Sequence, residues 1–354
     1  MKKSGSYLNR VHKHLKLSSY SSFILGGDIG GTNTDLSIFG INNNKPQLLF
    51  SFHFKSQELN SLTVAIKKTL SYAETHKIKI VYGCLGVAGP VSANRDSCKL
   101  TYVKWDVDTK EIFRKTSLKT FLINDFEAIG YGINLLSKKD MVEIGHNRMP
   151  VPKATKAVIG AGTGLGKSIL VYHDYYKTYI PIPSEGGFSD FPVHNKLELD
   201  LLNFIKKNKG IKESISNEQV ISGKGIESIY LFLRKKFRPT KYTVEIDGSK
   251  DRVPLISKYR KKDKTCRETF RLYTRFYARC AKNFVLDSLA MGGVYIAGGI
   301  ASKNSDIFKT KEFINEFEKV NKQPRLLKKV PIFVINNYDV SLYGAAYAVM
   351  KSEK

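Results

Sequence analysis

Twice in this chain a short apolar run enters a glycine-rich turn, returns at once as a second apolar run, and is followed by a third. The first set is FILGGDIG (23 to 30), TDLSIFGI (34 to 41) and PQLLFSFHF (46 to 54); the second is KAVIGAG (156 to 162), GKSILVYHD (166 to 174) and YKTYIPIPS (176 to 184). Runs of this length, punctuated by Gly, Asn and Pro, read as strands meandering through tight turns. After the first meander, Leu62, Ile66, Leu70 and Ala73 recur at helical spacing, with Asn60 or Ser61 as the cap. A strand in KIVYGCLGVAG (79 to 89), a helix near 108 to 116, a strand in KTFLIN and a helix beginning at Asp125 then alternate as crossover units do. Two copies of one α/β architecture are therefore expected.

Later in the chain, Phe270, Tyr273, Tyr277, Cys280 and Phe284 mark a buried helix, where aromatic spacing is core packing. GGVYIAGG and VPIFVIN read as strands, and SLYGAAYAVM as a closing helix. The 354 residues suffice for two domains of ordinary size. The expected division is a flexible basic extension over 1–22, a small lobe over 23–135 completed by a C-terminal helix over 337–354, and a large lobe over 136–336.

No apolar run approaches the roughly 18 residues of a membrane helix, and the first 22 residues lack the apolar middle of a signal peptide, so a soluble, cytoplasmic protein is expected. Cys84, Cys98, Cys266 and Cys280 form neither a CxxC pair nor a zinc spacing with the histidines, which fits reduced thiols. The net charge of +26 concentrates in RKKFRPTKY (234 to 242) and SKYRKKDKTCR (257 to 267). Lysines are nevertheless spread along the whole chain and no nucleic-acid-binding motif accompanies them. Solvated faces are expected there, not a nucleic acid partner.

The chemistry concentrates in the two glycine-rich turns. In GGDIGGTNTDLSIFG (26 to 40) an Asp ends a strand and Gly30, Gly31, Thr32 and Asn33 form the turn. Such a turn lets backbone N–H groups and a hydroxyl approach phosphate, while Asp28 can hold Mg²⁺ through water. The second turn, AVIGAGTGLGKS (157 to 168), nearly matches the phosphate loop GxxxxGK[ST], with Ala161 in place of its first Gly. A true phosphate loop opens a helix, whereas Lys167 starts the strand-like SILVYHD. A hairpin clamp centred on Gly162, Thr163 and Gly164 is the better reading.

With these turns the chain resembles the bacterial-type glucokinase family over about residues 23 to 350, and the resemblance implies two duplicated ribonuclease-H-like lobes of actin/hexokinase type with a central cleft. DIGGTN resembles the family's first phosphate motif and GAGTGLG its second. FLINDFEAIG (121 to 130) resembles the catalytic segment, in which Asn124 would bind sugar and Asp125 would be both a sugar ligand and the base. IPSEGGFSDFP (182 to 192) resembles the sugar loop, with Glu185 on hexose hydroxyls, and NEQVISGKGI (217 to 226) the segment carrying a second sugar carboxylate, Glu218. GGVYIAGGI (292 to 300) resembles the adenosine motif, with Gly298 and Gly299 beneath the nucleotide. The implied reaction is phosphorylation of glucose to glucose 6-phosphate by ATP with Mg²⁺, a carboxylate accepting the proton of a poorly nucleophilic hydroxyl. Dimers are common in the resembled family, so a homodimer is a further expectation.

Two positions depart from the family pattern. Phe188 stands where the family has His in EGGH, and Tyr102, in LTYVKW, stands where it has Asn. Phenylalanine cannot hydrogen-bond a sugar. Another hexose or an amino sugar, a substitute such as Ser189 or His194, or weaker sugar affinity would each accommodate it. A polyphosphate donor and a sugar sensor without turnover are the remaining alternatives. Twenty-two residues before the first strand cannot supply the DNA-binding domain that sugar-kinase-like regulators carry.

Overall fold

The structure, a computed structural model, describes residues 7–11, 16–100, 103–145 and 148–352. Tyr102 lies outside the described residues. In chain order the elements are β1 (Leu8–Val11), β2 (Ser22–Ile29), β3 (Asn33–Asn42), β4 (Lys45–Lys55), α1 (Leu62–Thr75), β5 (Tyr82–Val87), β6 (Ser97–Cys98), β7 (Val107–Asp108), α2 (Thr109–Thr116), β8 (Lys119–Asn124) and α3 (Asp125–Ile133). There follow β9 (Met141–Ile144), β10 (Lys156–Ala161), β11 (Leu165–His173), β12 (Thr178–Ser184), α4 (Lys196–Lys209), α5 (Asn217–Val220), α6 (Gly223–Arg234), α7 (Lys241–Asp247), α8 (Arg252–Tyr259) and α9 (Lys264–Ser288). The chain ends with β13 (Val294–Ala297), α10 (Gly299–Lys303), α11 (Lys311–Glu318), α12 (Pro324–Lys329), β14 (Ile332–Ile335) and α13 (Val340–Ser352).

The first sheet has the order β1-β4-β3-β2-β5-β8. Strands β2, β3 and β4 pair antiparallel, and β5 and β8 then add in parallel on the β2 side. One face packs on α1 and α2 through Leu62, Ile66 and Ile112, and the other on α3 and α13 through Ala128, Leu342 and Ala346. With both faces covered, the strands read as nearly continuous apolar runs. The later strands β11, β10, β13, β14 and β9 lie side by side in that order, again an antiparallel hairpin followed by the parallel strands β13 and β14, with β9 pairing antiparallel on β14. The meander-then-crossover pattern thus occurs twice, the ribonuclease-H-like duplication of actin-type folds.

Two compact units emerge. The first comprises residues to Ser137, His173–Pro183 and residues from Asp339 onward; the second comprises Lys138–Tyr172 and Ser184–Tyr338. His173–Pro183 groups with the first unit for a local reason. The Asn134 side chain accepts from the Tyr179 N–H and donates to the Tyr179 carbonyl, each at 3.0 Å, and the Thr178 and Tyr347 hydroxyls lie 3.0 Å apart.

The expected flexible extension over 1–22 requires correction at Leu8–Val11, while residues 1–6 and 12–15 lie outside the described residues. Leu8–Val11 pairs antiparallel with β4, with Leu8 opposite Phe52 and Val11 opposite Phe50, and Tyr7 stacks on Phe54 at 4.7 Å. A strand held at a sheet edge by its backbone needs no apolar periodicity, and here only Leu8 is even partly buried. The basic stretches also acquire intramolecular partners. Arg234 pairs with Asp247 at 2.9 Å and Arg260 with Asp306 at 2.7 Å, while the Lys235 and Lys236 ammonium groups sit over Phe204 and Phe232.

The second unit is organised by α9, whose Arg279 is 1 % exposed. Its guanidinium donates to both Glu198 oxygens, at 2.8 and 3.0 Å, to Glu316 at 2.9 Å and to the Pro192 carbonyl at 2.8 Å. This ties α4, α9 and α11 to the segment after β12. Removing the cation would leave two buried carboxylates with only the more distant Arg275, at 4.0 Å from Glu198 and 3.6 Å from Glu316, so Arg279→Leu should lower the unfolding free energy by about 3 kcal/mol in denaturant titrations.

Candidate active site

The first glycine-rich turn closes the β2–β3 hairpin, in which Asp28 lies opposite Asp35 and Ile29 opposite Thr34. Gly30 N–H donates to the Asn33 carbonyl at 2.9 Å. Residues after β4 hold the turn from outside. Ser56 Oγ donates to the Gly30 carbonyl at 2.7 Å, Gln57 Nε2 to that of Gly31 at 3.0 Å, and Ser56 N–H to that of Thr32 at 3.0 Å. Asn33 Oδ1 accepts from Lys55 Nζ at 2.8 Å, and Thr32 is exposed at the tip.

Asp28, at the end of β2, receives a hydrogen bond from Ser341 Oγ on α13. Burial pushes its carboxyl up to about 6 against the effect of that hydrogen bond, with nearby Asp35 adding to the rise. Asp35 itself pairs with His53 at 2.7 Å. Among the described residues no cation pairs with Asp28, and none of their His, Cys, Asp and Glu side chains form a cluster of three able to hold a metal. A single carboxylate whose ionisation is costly suits a divalent cation that keeps its waters and takes further ligands from phosphate, as Mg²⁺ does.

A raised folded-state pKa means that stability from this group is complete below about pH 4 and is lost as pH rises through about 6. Asp28→Asn abolishes the titration. In nucleotide-free, metal-free buffer the variant should be more stable than the parent near pH 8 by roughly 2 kcal/mol, allowing for partial exposure to water, with the difference closing near pH 4. Denaturant titrations across this range check it.

Asn124 and Asp125 stand where β8 passes directly into α3. Asn124 is the N-cap: its Oδ1 accepts from Phe126 N–H at 2.9 Å, and the Glu127 side chain reaches back to the Asn124 N–H. Asp125 Oδ1 accepts from Phe126 N–H at 3.0 Å, which orients the carboxylate at the first position of the helix.

In the second unit, the turn 162–164 closes the β10–β11 hairpin, and Lys167 lies within a strand, as expected. Its side chain is buried, with Nζ over the Phe284 ring at 5.0 Å and hydrogen-bonded to Cys280. Lys167 is thus engaged with α9. Gly162 N–H donates to the Gly164 carbonyl at 2.9 Å, Gly223 N–H donates to the Gly162 carbonyl at 3.0 Å, and Thr163 is exposed.

Glu218 on α5 belongs to the same group. Its Oε2 accepts from Leu165 N–H at 3.0 Å, and a Cβ on Gly164 would lie 2.5 Å from that oxygen, so any side chain there would push the carboxylate from this position. Gly298 joins them from the end of β13, with φ of +91° and a virtual Cβ 2.6 Å from the Ala161 carbonyl. Gly299 begins α10, and a Cβ on it would meet nothing within 4 Å.

Glu185 is exposed on the loop after β12 and its carbonyl accepts from Phe188 N–H at 3.0 Å. Phe188 is 61 % exposed. Neither proposed substitute for a histidine there is idle. Ser189 Oγ donates to the Gly186 carbonyl at 2.8 Å and accepts from Asn217 Nδ2 at 3.0 Å, while His194 Nδ1 faces Glu316 at 3.8 Å. Sequence reasoning missed Ser341, Ser56, Gln57 and Arg95 around these groups. Each lies far in sequence from the residue it supports, and no local pattern announces it.

These strands, turns and helix junctions define a sugar kinase of the actin-like class. The glucokinase family pattern matches residues 25–352, and a glucokinase of Nostoc punctiforme is 32 % identical over 92 % of this chain and 98 % of its own. The chain belongs to the glucokinase family. Its fold also matches that of the Balamuthia mandrillaris glucokinase solved with glucose (20 % identity, TM-score 0.78, covering 93 % of this chain and 94 % of that one). A Streptomyces griseus ROK-family glucokinase solved with glucose and AMPPNP matches at 16 % identity and a TM-score of 0.64, covering 92 % and 98 %.

Proposed function

We propose that this protein transfers the γ-phosphoryl group of ATP to the 6-hydroxyl of glucose, with Asp125 as general base. The carrying observation is the β8–α3 junction, where Asp125 occupies the first helical position with its carboxylate oriented by Phe126 N–H. In the step, the sugar hydroxyl attacks phosphorus, its proton passes to the Asp125 carboxylate, and the bond from the γ-phosphorus to the ADP oxygen breaks. Asn124 Oδ1 is engaged as the helix cap, so the Nδ2 donors are the part of this residue that serves a sugar oxygen.

Gly30, Gly31, Thr32 and Asn33 of one turn and Gly162, Thr163 and Gly164 of the other serve the triphosphate, and Gly298 with Gly299 the adenosine. Asp28 would hold Mg²⁺ through water, and the bound ion would neutralise phosphate charge. Glu185 and Glu218 accept from sugar hydroxyls. Because one Glu218 oxygen already holds Leu165 N–H, sugar bound to the other couples hexose recognition to the second phosphate turn. A cytoplasmic location accompanies this reading, and a homodimer is consistent with it.

Release of ADP from Mg-ATP should require glucose. Asp125→Asn should lower kcat by about 10²–10⁴-fold while glucose binding, followed by calorimetry, persists, because the amide keeps the shape and cannot take the proton. Near-normal turnover by that variant would refute the base assignment.

Phe188 offers no hydrogen bond at its position, which points to reduced glucose affinity. Restoring one neutral hydrogen bond by Phe188→His should lower the KM for glucose roughly three- to tenfold with kcat little changed. An unchanged KM, or a parent enzyme that prefers another sugar in a panel of mannose, fructose, galactose, glucosamine and N-acetylated sugars, would instead make Phe188 a determinant of which hexose is used.

A further inference from the structure

The loop before β6 grips the β8–α3 junction on both sides. Arg95 has φ of +57°, and its carbonyl accepts from Leu122 N–H at 2.8 Å, two residues before Asn124. Its guanidinium Nη2 donates to Glu127 Oε1 at 2.8 Å, two residues after Asp125. The other Glu127 oxygen faces the Asn124 N–H at 3.4 Å. Ser92 fixes the loop itself: its hydroxyl donates to Asp96 Oδ1 at 2.7 Å and accepts from the Asp96 and Ser97 N–H groups.

Capping alone does not account for this arrangement. The Asn124 side chain already caps α3 through Phe126 N–H, and a neutral Gln at position 127 could reach back to the Asn124 N–H. The Glu127 side chain is nevertheless 4 % exposed, packed near Cys84 and Tyr131, where an unpaired carboxylate would be costly. Only a charged group there can accept strongly from Arg95 and Asn124 at once. The result is a brace from strand to helix across the two residues that carry the chemistry.

We infer that Arg95 and Glu127 are positioning residues for phosphoryl transfer, holding Asn124 and Asp125 in register for the sugar hydroxyl. This inference rests on Asp125 being the base. Phosphoryl transfer is governed by placement, and displacement of a reacting group by about 1 Å can cost on the order of a hundredfold in rate.

The test is steady-state kinetics with glucose and Mg-ATP, well below each variant's unfolding temperature, on Arg95→Leu, Arg95→Lys, Glu127→Gln and the double variant Arg95→Leu/Glu127→Gln. We expect Arg95→Leu to lower kcat by roughly tenfold or more, with the KM for ATP within about twofold of the parent. Arg95→Lys should recover part of the loss, and the double variant should recover thermal stability without recovering kcat. Glu127→Gln reads the same brace should Arg95→Leu not fold. Folded single variants with kcat within about twofold of the parent, or a double variant whose kcat returns along with its stability, would overturn the proposal. Asp125→Asn assayed alongside separates the two readings. If it is inactive while the brace variants are fully active, only the brace fails; if it turns over normally, the base reading fails first.

Discussion

The contact between the closing helix and α3 carries the architecture of the first unit. Gly344 of α13 lies so close to α3 that a Cβ there would fall 1.7 Å from the Ala128 carbonyl, and one on Gly132 would fall 2.1 Å from that of Val340. Two glycines thus let the backbones meet, and Leu342, Ala345 and Ala346 fill the space against the sheet. The consequence is chemical as well as structural. The same helix brings Ser341 to Asp28, so residues 313 positions apart share one hydrogen bond at the end of β2. Asp125 on α3, the proposed base, and the Asp28 carboxylate on β2 are held by one packed pair of helices.

The two glycine-rich turns occupy equivalent places in a duplicated fold, yet they are supported differently. The first is held through its carbonyls by Ser56 and Gln57, which follow the third strand of its own meander. The second is held by groups from beyond its meander, the Glu218 carboxylate and the Gly223 N–H. One turn is therefore fixed within its own meander, while the other is tied to a residue proposed to bind sugar. The two hairpins are alike in strand pairing and differ in the groups that surround them.

The strands and the glycine-rich turns were readable because their signals are local: apolar runs of fixed length, turn residues between them, and an Asp or Thr at the right offset. The Lys167 segment shows that such reading can arbitrate chemistry, since the β-branched run after it argued for a strand where a phosphate loop needs a helix, and the strand is there. What stayed hidden depends on partners distant in the chain. β1 is held by backbone pairing and leaves little trace in side-chain pattern. Arg279 sits in a helix whose apolar face was evident, yet nothing in its neighbourhood of sequence indicates Glu198, 81 residues away. Glu127 reads as a routine third helical residue until Arg95 is placed against it.

Among the carboxylates of the first unit that burial perturbs are Asp28 and Glu127, and their surroundings separate their roles. Burial raises the pKa of both, as it must for any carboxylate removed from water. At Glu127 the rise is opposed by an Arg within hydrogen-bonding distance, so the charge is balanced inside the protein and the group can serve as a fixed strut. Among the described residues the side-chain hydrogen bond at Asp28 comes from a neutral hydroxyl, and Asp35 nearby adds to the unfavourable field. Its ionised form is the one the protein alone supports poorly and a cation would support well. A carboxylate compensated by an internal partner is structural; one left uncompensated beside the turn proposed to bind phosphate is chemically open, and that contrast supports the role proposed for Asp28 toward Mg²⁺.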